Sequence, residues 1–170
     1  MSMQYHRSSM GIKPFDVKQL RQRRRTARPD AGLGLLPGLI GYQLRLAQMA
    51  IFADFAESVG VDAISPGLFG ILVIVEVNPG LTQQALADAA RLDRSTMVTV
   101  LDKLEQRGLV ERQAADRRSN GLFLTPQGNA LLRGLKRKVA QHERRVLKNL
   151  SANERDQLVA LLQRILPEKR

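Results

Sequence analysis

Residues Thr82–Gly108 read TQQALADAARLDRSTMVTVLDKLEQRG and contain the clearest helix signals of the chain. Thr82 and Asp93 are residue types that cap the start of helices, and each precedes a helix-forming segment. Gly108 closes the second segment, because glycine is favoured just beyond a helix. Only residues 91–93 are left between the segments, enough for an abrupt turn. Two short helices joined in this way predict a helix-turn-helix.

The second helix, residues 94–106, divides its side chains into two arcs on a helical wheel. One arc is apolar and is predicted to face the core; it contains Met97, Val100, Leu101 and Leu104. The opposite arc contains Ser95, Thr96, Thr99, Asp102, Lys103 and Gln106, with Val98 at its boundary. Short hydroxyl side chains at the start of a recognition helix can enter the major groove and contact bases. The alternative is an ordinary solvated helix surface.

The segments LVERQ (109–113) and GLFLT (121–125) follow and predict two short strands of a hairpin. The hairpin tip contains Asp116, Arg117 and Arg118. Beside a recognition helix, such a tip points at the adjacent minor groove, whose negative potential attracts arginine. We expect Arg118 to enter that groove and Arg117 to bind phosphate, or the reverse, with Asp116 orienting one guanidinium. A solvated turn is the alternative interpretation.

The remaining segments predict a mainly α protein with a small β-hairpin, in which a winged helix-turn-helix lobe joins a helical dimerisation domain. Residues 33–59 predict a long helix that is apolar nearly all round, which indicates that a second subunit covers it. Residues 65–80 combine a Ser-Pro helix start with β-branched residues, and we predict a helix. Thr125-Pro126 opens a helix to about Leu150, and Ser151 with Glu154 forms a capping box for the last one. The predicted domains are a basic flexible arm (1–32), a dimerisation helix (33–64), the DNA-binding lobe (65–126) and C-terminal dimerisation helices (127–170).

The charge distribution favours a polyanionic partner. The 170-residue chain has 27 Lys and Arg against 16 Asp and Glu, a formal net charge of +11. Residues 1–32 hold eight of these basic and two of these acidic residues, so more than half of the excess lies there. We expect this segment, with Arg23, Arg24 and Arg25, to be either a nucleic-acid-contacting arm or a solvated tail.

Composition argues against several other function classes. There is no cysteine, and the two histidines, His6 and His142, lie in the basic segment and on what reads as a charged helix face, so neither a metal site nor a cofactor is expected. No Gly-rich phosphate loop or histidine–carboxylate pattern indicates an enzyme, and no catalytic residue is predicted. The longest apolar run, LFGILVIVEV, is too short for a bilayer, which takes about 20 residues. We expect a cytoplasmic protein without membrane contact.

The segment LTQQALADAARLDRSTMVTVLDKLEQRGLVER, followed by DRRSNGLFLTPQG, resembles the MarR family of bacterial transcription regulators over residues 33–166. The resemblance implies a homodimer whose first and last helices interlock and whose two lobes read a palindromic operator in double-stranded DNA. Such proteins are often released from DNA by a small, often aromatic ligand. The expected DNA contacts are Gln83, Arg94, Ser95, Thr96, Val98, Thr99, Lys103, Asp116, Arg117 and Arg118, with the arm residues Arg23, Arg24 and Arg25.

The resemblance also implies an effector pocket, for which Tyr42, Arg45, Met49 and Phe69 are candidates. The stretch GYQLRLAQ is similar to family members that sense aromatic acids or hydroxycinnamoyl-CoA thioesters. Arg45 is predicted to meet either a ligand anion or, in the favoured alternative, Asp54, Glu57 or Glu76. The second function hypothesis is a winged-helix nucleic-acid-binding or architectural protein without an effector.

Overall fold

The structure, a computed structural model, describes residues 32–60, 64–116 and 119–166, with only the backbone for residues 115, 116, 119 and 120. Within these ranges the chain forms six α-helices, one turn of 3-10 helix and three short strands, which confirms the mainly α fold class. The chain divides into two compact units, with the boundary between Leu44 and Arg45.

The first long helix starts later than the sequence predicted. A single 3-10 turn spans Leu36–Gly38, and α1 spans Ile40–Val59, so the prediction of one helix from Leu33 was wrong at its start. Pro37 gives the physical reason, because its ring blocks the carbonyl of the preceding turn and it has no N–H to donate. Leu39 then takes an extended conformation between the two helices.

The segment with mixed helix and strand signals is a helix, as predicted. This helix, α2, spans Pro66–Val77, and the side chain of Ser65 accepts a hydrogen bond from the Leu68 N–H at 3.2 Å. Its β-branched residues do not prevent the helix, because core packing outweighs a propensity difference of under about 1 kcal/mol per residue. Ile71, Leu72 and Val75 are buried.

The helix-turn-helix consists of α3, Gln83–Ala90, and α4, Arg94–Gln106. The hairpin strands β2, Val110–Asp116, and β3, Ser119–Leu124, pair antiparallel with Val110 opposite Leu124. A two-residue strand β1, Leu81–Thr82, pairs with β3, so the sheet has three strands in the order β1-β3-β2. The sequence prediction missed β1, and it placed the turn over more residues than the structure does.

Two helices complete the chain. The helix α5 spans Pro126–Val146 and ends four residues before the predicted limit, while α6 spans Ala152–Ile165. Thr125 caps α5, and its side-chain oxygen accepts from the Gly128 N–H at 2.9 Å. The predicted capping box of α6 is confirmed, since Ser151 and Glu154 bond each other's backbone N–H.

The core lies among α2, α3, α4, α5 and the sheet, and Phe55 and Val59 at the end of α1 also belong to it. Its most buried large side chains are mostly leucines. They include Leu72, Leu86, Met97, Leu101, Leu104, Leu122, Leu132 and Leu135, each no more than 1% exposed. The recognition segment α4 is therefore fixed by contacts within one chain.

A polar network joins α1 to α5, and it corrects one prediction. His142 is 1% exposed and not on a charged surface as predicted. Its Nδ1 lies 2.7 Å from Asp54 Oδ1, and its ring packs edge-on against Phe55 with centroids 5.5 Å apart. Arg145 donates to Asp54 through Nε at 2.9 Å and to the Ser58 hydroxyl oxygen through Nη2. Because Asp54 is distant in sequence, the pattern QHERR did not reveal this burial.

This network makes the free energy of unfolding depend on pH in the acidic range. The Arg145 guanidinium, assisted by His142, lowers the pKa of the Asp54 carboxyl from 3.8 to about 2 despite partial burial. The lowered pKa stabilises the fold above about pH 4, and this contribution is lost as the pH falls towards 2. Between pH 5 and pH 2, the free energy of unfolding should fall by about 2 kcal/mol more in the wild type than in Asp54→Asn.

Urea denaturation at a series of pH values and one protein concentration measures this difference. Asp156→Asn, which removes an exposed carboxylate from α6, is the control and should follow the wild type. Parallel pH profiles for the wild type and Asp54→Asn would show that the network carries no such contribution.

Candidate DNA interface

The turn between α3 and α4 is built by three local devices. The Thr82 side-chain oxygen accepts from the Ala85 N–H at 3.2 Å and starts α3 as predicted. Arg91 then takes a left-handed conformation with φ 53°, and the N–H of Leu92 bonds the Ala87 carbonyl at 3.0 Å. Asp93 caps α4 directly afterwards. The reversal therefore takes three residues and leaves the start of α4 uncovered.

The two arcs predicted for α4 are confirmed. Met97, Leu101 and Leu104 are fully buried and Val100 is half-buried. The opposite arc is exposed along the whole helix, at Ser95, Thr96, Thr99, Asp102, Lys103 and Gln106. Val98 is 38% exposed, and Arg94 at the helix start is exposed as well. One face of α4 is thus fixed to the core and the other is available to a partner.

The hydroxyl groups at the start of α4 are organised around Asp93. Ser95 Oγ donates to Asp93 Oδ1 at 2.5 Å, and Thr96 Oγ1 donates to Asp93 Oδ2 at 2.6 Å. The Thr96 N–H also bonds Oδ1, at 2.8 Å. These bonds, those from Ser95 and Thr96 first, lower the pKa of the Asp93 carboxyl well below its usual range. The carboxylate therefore stays ionised in neutral solution and holds both hydroxyls.

The hairpin is attached to the recognition helix by ion pairs that the sequence analysis did not identify. Arg112 on β2 donates to Glu105 and, at 3.1 Å, to Asp102 Oδ1, both on α4. Thr125 Oγ1, just after β3, donates to the carbonyl of Gly108, just before β2, at 2.6 Å and closes the base of the hairpin. The acidic pair three residues apart on α4 and an arginine at the start of the next strand were the available sequence signal. These contacts set the base of the hairpin relative to α4.

The other predicted DNA contacts divide into described and undescribed residues. Gln83 is half-buried at the start of α3, and Lys103 is exposed on α4. Arg117 and Arg118 lie outside the described residues, as do the side chain of Asp116 and the whole of residues 1–31 with Arg23, Arg24 and Arg25. Contact of all these residues with DNA stays a prediction.

The predicted effector residues lie on both sides of the unit boundary. Tyr42, which is half-buried, belongs to the first unit, and Arg45, Met49 and Phe69 belong to the second. Arg45 Nη1 donates to Met49 Sδ at 3.4 Å. The ring centroid of Phe69 lies 6.4 Å from that of the buried Phe55. A pocket formed by all four residues stays a prediction.

Two of the three carboxylates considered for Arg45 bind other basic side chains. Asp54 holds Arg145 and His142, and Glu76 on α2 pairs with Lys136 on α5.

Over the described ranges, no cluster of His, Asp and Glu could hold a metal ion. No helix within those same ranges is both long and apolar enough to cross a membrane.

Comparison with known proteins identifies the family. The sequence model of the MarR family matches residues 64–119, from the residue before the Ser65 cap into β3. A protein of Thauera aromatica that is named as a putative transcriptional regulatory protein for the hcr operon is 38% identical over 135 residues. The match covers 78% of this chain and 81% of that protein. The chain belongs to the MarR family.

Solved structures of MarR-family proteins agree with the fold. The transcriptional repressor CouR bound to a 23-mer DNA duplex is 37% identical with a TM-score of 0.75, and the match covers 80% of this chain and 98% of CouR. CouR bound to p-coumaroyl-CoA is 36% identical with the same TM-score, covering 80% and 97% of the two chains. This MarR-family chain therefore shares the winged-helix architecture of a repressor that has been solved both with a DNA duplex and with an acyl-CoA ligand.

Proposed function

We propose that the chain is a homodimeric, sequence-specific DNA-binding repressor that a small aromatic or aryl-CoA ligand releases from its operator. The observation that carries the proposal is the exposed arc of α4, whose opposite face is buried in the core. The chain is similar in fold to CouR, which has been solved bound to a DNA duplex. Ser95, Thr96 and Thr99 are short enough to let the helix sit deep in a major groove. In this proposal the protein binds DNA, catalyses no reaction and acts in the cytoplasm.

Two exposed apolar stretches support a dimer. In the first unit Leu35 is 72% and Leu39 is 44% exposed, and Ile40 at the start of α1 is 65% exposed. In the second unit α6 has no buried residue, while Leu161 is 54% and Ile165 is 61% exposed. Large apolar side chains exposed in such numbers indicate a protein partner. A second copy of the chain is the partner that the family resemblance implies.

Charge supports a duplex as the target. The net charge of +11 favours approach to phosphate, and the arginines of the predicted arm and hairpin tip are part of that charge. The proposed DNA contacts are Gln83, Arg94, Ser95, Thr96, Val98, Thr99, Lys103, Asp116, Arg117 and Arg118, with Arg23, Arg24 and Arg25 in the arm. A pseudo-palindromic operator follows from the two-fold symmetry of a dimer.

An aromatic effector is supported by the aromatic contacts of the second unit. Phe69 is half-buried and adjoins Phe55, which in turn meets His142 on α5. A ligand that binds near Phe69 could therefore act on α2 and α5 together. The effector releases DNA only if it binds the DNA-incompetent state of the dimer more tightly than the competent one. The CouR complex makes p-coumaroyl-CoA the first compound to assay.

Selection from a random duplex library tests this function. We expect the full-length protein to enrich a pseudo-palindromic site whose halves lie about one helical turn apart. Addition of p-coumaroyl-CoA, or of free aromatic acids in parallel, should release the selected duplex in a fluorescence anisotropy assay. Enrichment of no motif would contradict specific DNA reading, whereas a motif with no response to any compound would contradict only the effector.

The hairpin tip gives a separate prediction. Arg118→Ala should weaken binding to the selected duplex about tenfold at physiological salt, because a cation in a narrow minor groove is lost. Anisotropy titration measures the change, with Arg117→Ala compared alongside. Arg133→Ala removes the same charge from the exposed surface of α5 and is the matched control. Equal affinities for the Arg118→Ala and Arg133→Ala proteins would leave the tip as a solvated turn.

A further inference from the structure

The hydroxyl protons on the exposed arc of α4 are all directed into the protein. Those of Ser95 and Thr96 bond the two oxygens of the Asp93 carboxylate, at 2.5 and 2.6 Å. That of Thr99 bonds the Ser95 carbonyl one turn back, at 3.2 Å. A hydroxyl has one proton and two lone pairs, so each of these groups has only acceptor capacity left for a partner.

The two bonds to Asp93 are the stronger ones. A hydroxyl that donates to a carboxylate forms a shorter bond, roughly twice as strong as one between neutral groups. To donate to a DNA phosphate, or to guanine O6 or N7, Ser95 or Thr96 would first have to leave the ionised Asp93. Accepting from a base amino group requires no such exchange. The bonds with Asp93 therefore favour one direction of hydrogen bonding over the other.

We propose, building on the DNA-binding function above, that Asp93 is a positioning residue that makes Ser95 and Thr96 readers of base amino groups. In the major groove such groups are adenine N6 and cytosine N4. Asp93 itself touches no base in this account. It acts by holding the two hydroxyl protons away from the DNA.

The methyl groups on the same arc narrow the choice between the two bases. Val98 is 38% exposed, and Thr96 and Thr99 carry methyl groups beside their hydroxyls. Among base pairs, A·T alone presents both an amino donor and a methyl group in the major groove. Acceptor oxygens beside methyl groups thus match A·T pairs best. We infer that the positions of each half-site contacted by the start of α4 are A·T pairs.

Asp93→Asn tests the proposal because it reverses the direction of one hydrogen bond, so that one hydroxyl accepts where it donated before. Asparagine still caps a helix, but its amide has one acceptor oxygen and one NH2 group that donates. The hydroxyl opposite that NH2 must accept, so its proton becomes available to DNA. We expect at least one half-site position to move from adenine or cytosine towards guanine or thymine, with about a tenfold change in relative affinity.

The experiment is duplex selection with the full-length wild type, Asp93→Asn, Ser95→Ala and Thr96→Val. Asp88→Asn is the matched control, because it removes the same charge from α3, where the carboxylate accepts a hydrogen bond from Gln84 of the same helix at 2.9 Å. Because it removes one negative charge, this control can only raise the overall affinity for DNA, and it should leave the base preference unchanged. Thermal unfolding of each variant checks that the lobe stays folded.

Three results would overturn the proposal. One is an unchanged base preference in Asp93→Asn when Ser95→Ala or Thr96→Val alters it. Another is an unchanged preference in both hydroxyl variants, which would remove them from base contact. A third is a wild-type preference for guanine or thymine at the positions that these variants affect. Enrichment of no motif by the wild type would instead refute the proposed DNA-binding function, and this proposal with it.

Discussion

Leu161→Glu should convert the protein into a monomer and reduce its affinity for the selected duplex at least about 100-fold. Leu161 is exposed on α6, in line with Leu158 and Ile165 at helical spacing. A carboxylate there would be buried without a partner in a dimer, which is costly. Loss of the dimer then removes simultaneous binding of two half-sites, whose gain is about 10²–10⁴.

Light scattering and anisotropy titration measure the two effects of this substitution. Gln163→Glu places the same charge on the opposite side of α6 and should leave both the dimer and its affinity intact. Circular dichroism should show the helices of both variants, because the lobe core is built within one chain. A Leu161→Glu dimer with wild-type affinity would remove α6 from the dimer interface.

Gly128→Ala should lower the free energy of unfolding by about 3 kcal/mol, the upper end of the usual cost of overpacking. Gly128 is buried in the first turn of α5, and a Cβ atom there would lie 2.0 Å from the Leu109 carbonyl oxygen. That oxygen belongs to backbone and also accepts from the Thr125 N–H at 3.1 Å, so it cannot move freely. The first turn of α5 would have to move away from Leu109, which precedes β2, and overpacked sites are destabilised by such shifts.

Urea denaturation of Gly128→Ala beside Gly134→Ala isolates this contact. Gly134 lies in the same helix, and among the described residues a Cβ atom there would meet no side chain and no other element within 4 Å. Alanine at this position should therefore stabilise the fold by roughly 0.5–1 kcal/mol. The two substitutions add the same methyl group and should act in opposite directions. Equal stability of the two variants would show that α5 can shift away from Leu109 at little cost.

Local signals predicted the helix-turn-helix well. The caps at Thr82, Asp93, Thr125 and Ser151 all form as predicted, because each is decided by a side chain and a backbone N–H three residues later. The two arcs of α4 also followed from spacing alone, since a helix fixes which residues share a face. Short-range geometry accounts for this part of the site.

Contacts between distant residues explain what the sequence did not reveal. The strand β1 has two residues, too few for an alternating pattern, and exists because Leu81 pairs with Leu122. His142 is buried because Asp54, far away along the chain, binds its ring nitrogen. The orientation of the Ser95 hydroxyl is a local feature, but it was not predicted either, because it depends on the rotamers of Asp93 and Ser95 and not on their spacing. Sequence patterns placed these residues on elements but did not assign their partners.

The number of chains bound to one selected duplex shows whether the protein reads its operator as a dimer. Light scattering of the full-length protein with a single selected site should give a complex that contains two chains, each of 19.0 kDa. Both half-sites should be needed, so that scrambling one of them leaves only salt-sensitive, non-specific binding. One chain bound per duplex, with unchanged affinity after one half-site is scrambled, would contradict the account of a dimer that reads a two-fold symmetric operator.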